Sequence, residues 1–179
     1  ADADFAGCTK TSRSTSGAHL SILGPNSCWP TSGQSKKQGC VSHSTPEAEL
    51  VSADHAVRVY GTPALDLWSV LLRRPELYLN FHEDNETAIS VIKTGYSQAL
   101  RHIQRTHGID LCALHERFKE PWYHLAYQRS SLMSADIYTK GSADAPAWQL
   151  ATRLINHFGR AKNEQIPCHA DGAQGRGDL

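Results

Sequence analysis

The sequence predicts an α/β protein, a mixed sheet with helices packed on its faces. Residues 77–93 (LYLNFHEDNETAISVIK) switch from a two-residue to a helical period at Glu83-Asp84-Asn85. Gly, Pro and Asn divide residues 1–43 into short extended runs. Strand-like and helix-like stretches then alternate, the order of a sheet covered by helices.

The 179 residues suit one domain, residues 1–159, followed by a polar, Gly-rich tail over 160–179 with no structural pattern. Residues 1–4 read as the end of a strand and 8–16 as a loop. Residues 17–23 form a second strand and Gly24-Pro25-Asn26 its turn. Residues 27–29 begin a return strand, 30–34 interrupt it, and 39–43 form a further short extended run. Ser44-Thr45-Pro46-Glu47 opens a helix with a capping hydroxyl, an early Pro and a first-turn acid. Ala53, Ala56, Val57 and Tyr60 are its buried stripe. Gly61-Thr62-Pro63 breaks it, and Ala64, Trp68, Leu71 and Leu72 resume the pattern.

Leu77, Leu79 and Phe81 then share one face of a strand, and Ala88, Ile89 and Ile92 one face of a helix that stops at Gly95. Residues 97–119 are partly helical, 122–128 alternate like a strand, and 129–134 form a loop. Asp136 starts a turn or helix, and Trp148, Ala151, Ile155 and Phe158 mark a last amphipathic helix.

Eighteen basic residues balance eighteen acidic ones, so nucleic-acid or membrane binding would depend on local clusters. No apolar run approaches the roughly 20 residues of a membrane span. Five scattered cysteines with no CxxC suggest reduced thiols rather than a disulfide framework. The first residue is not Met and an acidic motif follows at once, so we expect a piece of a longer product.

Asp2, Glu49, Asp84 and Asp136 all stand at element boundaries. A single such acid is ordinarily a helix cap. Several brought together repel, and a protein gathers them chiefly to hold hard cations such as Mg²⁺.

In order along the chain, Asp2-Ala3-Asp4-Phe5-Ala6-Gly7, Arg13-Ser14-Thr15-Ser16-Gly17, Ser35-Lys36-Lys37-Gln38, Ser44-Thr45-Pro46-Glu47-Ala48-Glu49, Asp84-Asn85 and Ala135-Asp136-Ile137-Tyr138-Thr139-Lys140 resemble the motif blocks of one family. It is the RNase H domain of copia-type retrotransposon polyproteins. The resemblance implies an RNase H-like mixed sheet flanked by helices, with most of the first, central strand missing from this chain. It also implies two Mg²⁺ ions, with Mn²⁺ as a substitute, and hydrolysis of the RNA strand of RNA–DNA hybrids during reverse transcription. The implied partner is an adjacent reverse transcriptase domain, and the implied setting is a cytoplasmic virus-like particle or the nucleus. The catalytic and metal-holding acids carried over are Asp2 (Asp4 as fallback), Glu49, Asp84 and Asp136. Glu49 is chosen over Glu47 because Ala56 follows it by seven residues, as an Ala follows the catalytic Glu in RNases H. A helix also turns the two glutamates about 200° apart, too far to serve one metal. The alternative reading is a catalytically silent module of the same fold that binds nucleic acid or the polymerase domain.

Lys36, Lys37, Arg101 and Arg105 are candidate phosphate contacts, and Gln38 and Asn85 candidates for the RNA 2′-OH. His102, His107, Cys112 and His115 suggest zinc by residue type, but the duller reading, a His-rich amphipathic helix, is preferred. The four tryptophans are expected in the core or half-buried rather than as stacking platforms.

Overall fold

The computed structural model describes residues 1–73, 77–141 and 144–157, and it is a mixed α/β structure. Phe158 and the expected tail lie outside the described residues. Strands β1 (Asp2–Asp4), β2 (Thr15–Gly24) and β3 (Ser27–Lys37) form an antiparallel sheet in that order. Pro25-Asn26 makes the turn of the long hairpin. The interruption expected at residues 30–34 is instead a bulge inside β3. Ser32 pairs with Leu20 and Pro30 with Ser21, leaving Thr31 over. The Thr31 hydroxyl donates to the Leu20 carbonyl at 3.0 Å, so the ladder survives the Pro. The extended run expected at residues 39–43 is a bend. There the Ser42 hydroxyl donates to Gln38 Oε1 and the His43 amide to Glu47 Oε2.

Helix α1 (Thr45–Ala56) starts as its sequence predicts, with Ser44 Oγ accepting from the Glu47 amide. The break expected at residues 61–63 does not occur. A π-helical turn, Val57–Gly61, leads directly into α2 (Thr62–Leu72). The Thr62 amide donates to the Val57 carbonyl five residues back. Pro63, which has no N–H to offer, therefore enters at the first turn of α2, where none is needed. Gly61 touches β4 (Leu79–Glu83) closely: a Cβ there would lie 2.6 Å from Leu79 Cδ2.

Strand β4 pairs in parallel with β5 (Tyr123–Tyr127) as a second sheet. Between them come α3 (Glu86–Thr94), α4 (Ile103–His107) and α5 (Leu111–Lys119). Gly95 caps α3 with a φ of 71°, a conformation that favours glycine. Two short 3₁₀ turns, Ser130–Leu132 and Ser134–Tyr138, precede α6 (Ala145–Leu154). No helix of the described residues is long and apolar enough to cross a membrane. No disulfide joins Cys8, Cys28, Cys40 or Cys112.

The core joins α1, α3, α4 and α5 to β4 and β5 through Leu50, Phe81, Ile92, Ile103, Leu114 and Tyr123. The two sheets meet where the Ala1 amino group donates to the His82 carbonyl at 2.9 Å. Beyond that point an open cleft of about 590 Å³ runs between β2 and β4, with Ala18, Leu20, Ile22, Leu79, Phe81 and Trp68 among its walls. The expectation that the tryptophans are core or half-buried holds for Trp68, but Trp29 is 70% exposed on β3, and Trp122 and Trp148 are also exposed, at 45% and 46%.

Candidate functional site: a carboxylate cluster where the sheets meet

Asp2 leaves β1, Glu49 sits in the second turn of α1, and Asp84 directly follows β4. Donor oxygens of the three lie within 4.8 Å of one another, so the group can hold a metal ion. Each element has a local reason to place its acid there. The Ser52 hydroxyl donates to the Asp2 carbonyl at 2.7 Å, anchoring β1 on α1. Asn85, not Asp84, caps α3, its Oδ1 accepting from the Ala88 amide at 3.0 Å. Asp84 is thus left to the cluster, with its Oδ2 accepting from the Ser130 hydroxyl at 2.6 Å. Asp136 reaches the same region from its 3₁₀ turn, which packs on Gly17. A Cβ at Gly17 would lie 2.7 Å from the Ala135 carbonyl oxygen.

Lys140 joins Asp136 to Asp2, its ammonium 2.9 Å from Asp136 Oδ2 and 3.4 Å from Asp2 Oδ1. Thr139 Oγ1 donates to Asp2 Oδ2. Asp4, the fallback for the first acid, lines a second, acidic cleft at the cluster itself, as do Asp2, Glu49, Asp84, Thr45, Asn85 and Lys140.

A further carboxylate stands here that was not among the expected site residues. Glu83, the last residue of β4, is fully buried. It continues the inward-facing series of Leu79 and Phe81, and that parity was the signal for it. Burial pushes Glu49 up to about 9, with Glu83, Asp2 and Asp84 adding to the rise. Burial likewise raises Glu83 to about 7. Asp136 rises to about 6 by burial and the charge of Asp2, against the pull of Lys140. Glu49 Oε2, Glu83 Oε2 and Asp136 Oδ1 are buried without a hydrogen-bond partner. These unsatisfied buried carboxylate oxygens, which Lys140 and the N-terminal amino group neutralise only in part, suit a hard, oxygen-seeking dication.

These shifts have a testable consequence. An acid whose folded pKa is raised keeps its proton in the fold after the unfolded chain has lost its own. Its contribution to stability therefore falls as pH rises through that window. Without divalent cations, melting temperature should decline from pH 7 to pH 9 as Glu49 is forced to ionise. Burial lowers His19 and His82, which act oppositely but below their ordinary 6.5. Cys8, lowered to about 6 by Lys37, also acts oppositely. The slope is therefore read as the difference from Glu49→Gln, which retains these other groups. Equal slopes in the two proteins would show that Glu49 is not a buried, protonated acid. Mg²⁺ should offset the decline most at the alkaline end.

The other expected residues divide. Lys36 and Lys37 are exposed at the acid end of the sheet, where Lys37 pairs with Thr15 and Thr15 with Asp4. Arg101 and Arg105 are exposed beside α4. Gln38 departs from the expectation of a nucleic-acid contact. It is buried, its amide nitrogen donating to Ser16 Oγ and the Ala48 carbonyl and its Oε1 accepting from Ser42. Asn85 lines the cleft, but its Oδ1 is taken by the cap. The set His102, His107, Cys112 and His115 does not assemble. Cys112 is exposed and His115 bonds the Ile92 carbonyl, while His102 and His107 turn to Glu47.

The site is thus of a definable class: a carboxylate cluster at the ends of β1 and β4, able to hold a metal ion. Comparison with protein-family models, curated proteins and solved structures finds no match to this chain.

Proposed function

We propose that this chain is a metal-dependent endoribonuclease of the RNase H class, hydrolysing the RNA strand of RNA–DNA hybrids. The observation that carries the reading is the convergence of Asp2, Glu49 and Asp84 from three separate elements. The ordered motif blocks, which resemble the RNase H domain of copia-type polyproteins, add the substrate class and an origin beside a reverse transcriptase. In this reading Asp2, Glu49 and Asp84 hold the divalent ions, with Asp136 and Glu83 flanking them. Mg²⁺ bound there supplies charge stabilisation at the scissile phosphate and a more acidic water. Ser130 aims Asp84, Thr139 aims Asp2, and the rise of Glu49 means that loading is coupled to proton release. Lys36, Lys37, Arg101 and Arg105 would meet backbone phosphates and position the hybrid without reading its sequence.

The second reading is a silent module that binds hybrid or polymerase without cutting. One assay separates the two: cleavage of a labelled RNA–DNA hybrid beside duplex DNA and duplex RNA. The nuclease reading expects hybrid cleavage with Mg²⁺ or Mn²⁺ but not with Ca²⁺, whose looser coordination misplaces the attacking water. Activity that survives EDTA would sink that reading, and hybrid binding without cleavage under any metal would leave the silent module.

A further inference from the structure

On the opposite side of α1 from Glu49, a second group of ligand-type side chains converges, and it is not made of carboxylates alone. We propose that His43, Glu47 and His102 form a binding site for a borderline transition-metal dication, Zn²⁺ foremost, that ties the start of α1 to α4, with His107 holding the Glu47 carboxylate from below. His43 directly precedes the α1 cap Ser44, and Glu47 stands in the first turn of α1. His102 caps α4 and His107 ends it. One donor atom each from His43, Glu47 and His102 lie within 4.8 Å of one another. His102 Nε2 is 3.3 Å and His107 Nε2 3.0 Å from Glu47 Oε1, and His43 Nδ1 is 3.5 Å from Glu47 Oε2. In a tetrahedral zinc site with bonds of about 2.0–2.1 Å, neighbouring ligand atoms stand roughly 3.3 Å apart. His102 and His43 stand at about that distance from the two Glu47 oxygens.

The surroundings fit as well. Glu47 is fully buried and the His107 side chain is 2% exposed, so these two form the floor of the site. His43 and His102 are more open, leaving a path for an ion, and their rings meet edge to face at 5.5 Å. The His43 amide donates to Glu47 Oε2 at 2.9 Å, orienting the carboxylate as outer-shell bonds orient metal ligands. Burial pushes Glu47 upward, but the His43 amide and His102 outweigh it, so the carboxylate sits below its ordinary pKa, in the form a metal needs. Two imidazoles and one carboxylate, with a fourth position open to water, are a zinc-type donor set, distinct from the all-oxygen cluster of Asp2, Glu49 and Asp84. Such an ion would fix the helix that carries Glu49 without entering the acidic cleft, and the inference stands whether or not the protein is a nuclease.

The whole chain, stripped of metal with a chelator and dialysed, would be titrated with Zn²⁺ against a chromophoric competitor, and separately with Co²⁺. The expected result is one Zn²⁺ per chain, tetrahedral Co²⁺ absorption, and a higher melting temperature with zinc. His43→Ala, at an exposed side chain that the fold does not need, should weaken zinc at least tenfold and remove the zinc-dependent rise in melting temperature. His102→Ala should do the same. Asp84→Asn, which dismantles the other cluster, should bind zinc like the wild type. The proposal is overturned if His43→Ala and His102→Ala bind zinc as tightly as the wild type, or if Asp84→Asn is the variant that loses it. It is equally overturned if the wild type binds no zinc.

Discussion

Asp84→Asn should lower hydrolysis of the RNA strand of a hybrid by roughly 10³-fold or more, about 4 kcal/mol of transition-state stabilisation, while hybrid binding survives. The substitution is structurally mild. Asn85 caps α3, so the helix start does not depend on Asp84. An amide oxygen can still accept from the Ser130 hydroxyl that now meets Asp84 Oδ2. What is lost is one negative charge from a group of three whose oxygens lie within reach of a single ion. Glu47, two residues from Glu49, is a poor control because it is buried between histidines. Glu86→Gln is better, since it removes an exposed first-turn acid of α3 and should cut like the wild type. Steady-state cleavage and filter binding of the same hybrid are the two measurements. If Asp84→Asn cuts at the wild-type rate, Asp84 is structural and the three-carboxylate site is not a nuclease centre.

A six-residue alternating strand grafted ahead of Ala1 should raise the melting temperature by roughly 5–15 °C, corresponding to about 2–4 kcal/mol for a chain of this size. Strand β1 pairs Asp2 with Gly17, and continuing that register backward would set the six new residues against 19–24 of β2. Those residues already pair with β3 on their other edge. The graft would enter the cleft lined by Leu20, Ile22, Leu79 and Phe81, where apolar side chains at alternate positions leave water. Ordering six residues offsets much of that gain, which is why the net effect is only a few kcal/mol. A shuffled graft with its polar residues facing inward is the comparison. Equal melting temperatures for grafted, shuffled and original chains would mean that the cleft does not accept a strand.

Much of this was legible in the residues themselves. The switch of period at Glu83-Asp84-Asn85 placed the end of β4 and the start of α3, although Leu77 and Tyr78 lie outside the strand, and Ser44 with Pro46 placed the start of α1, because caps and periodicity are local signals. Pro30 and Pro63 misled for one reason: a proline announces a missing N–H, not how the chain will compensate for it. A bulge at Thr31 absorbed the first and a π-helical turn the second. Gln38 looked like a surface amide because its sequence neighbours are lysines, yet three internal bonds hold it inside. The partners of Glu47 could not be seen from spacing, since His102 and His107 lie more than fifty residues away and reach it only in the folded chain.

Lys140 makes the acidic cleft behave as an ion exchanger with its counter-ion on a leash. Its ammonium, about half exposed, is bound to Asp2 and Asp136 at once, and those charges keep it firmly protonated against the effect of burial. Because it is covalently tethered, diluting or changing the salt does not wash it out, and its effective concentration is set by five residues of chain. A freely diffusing monovalent ion offers the acids nothing that Lys140 does not. A dication does, through twice the charge at shorter range, so the cleft should discriminate by valence before it discriminates by size.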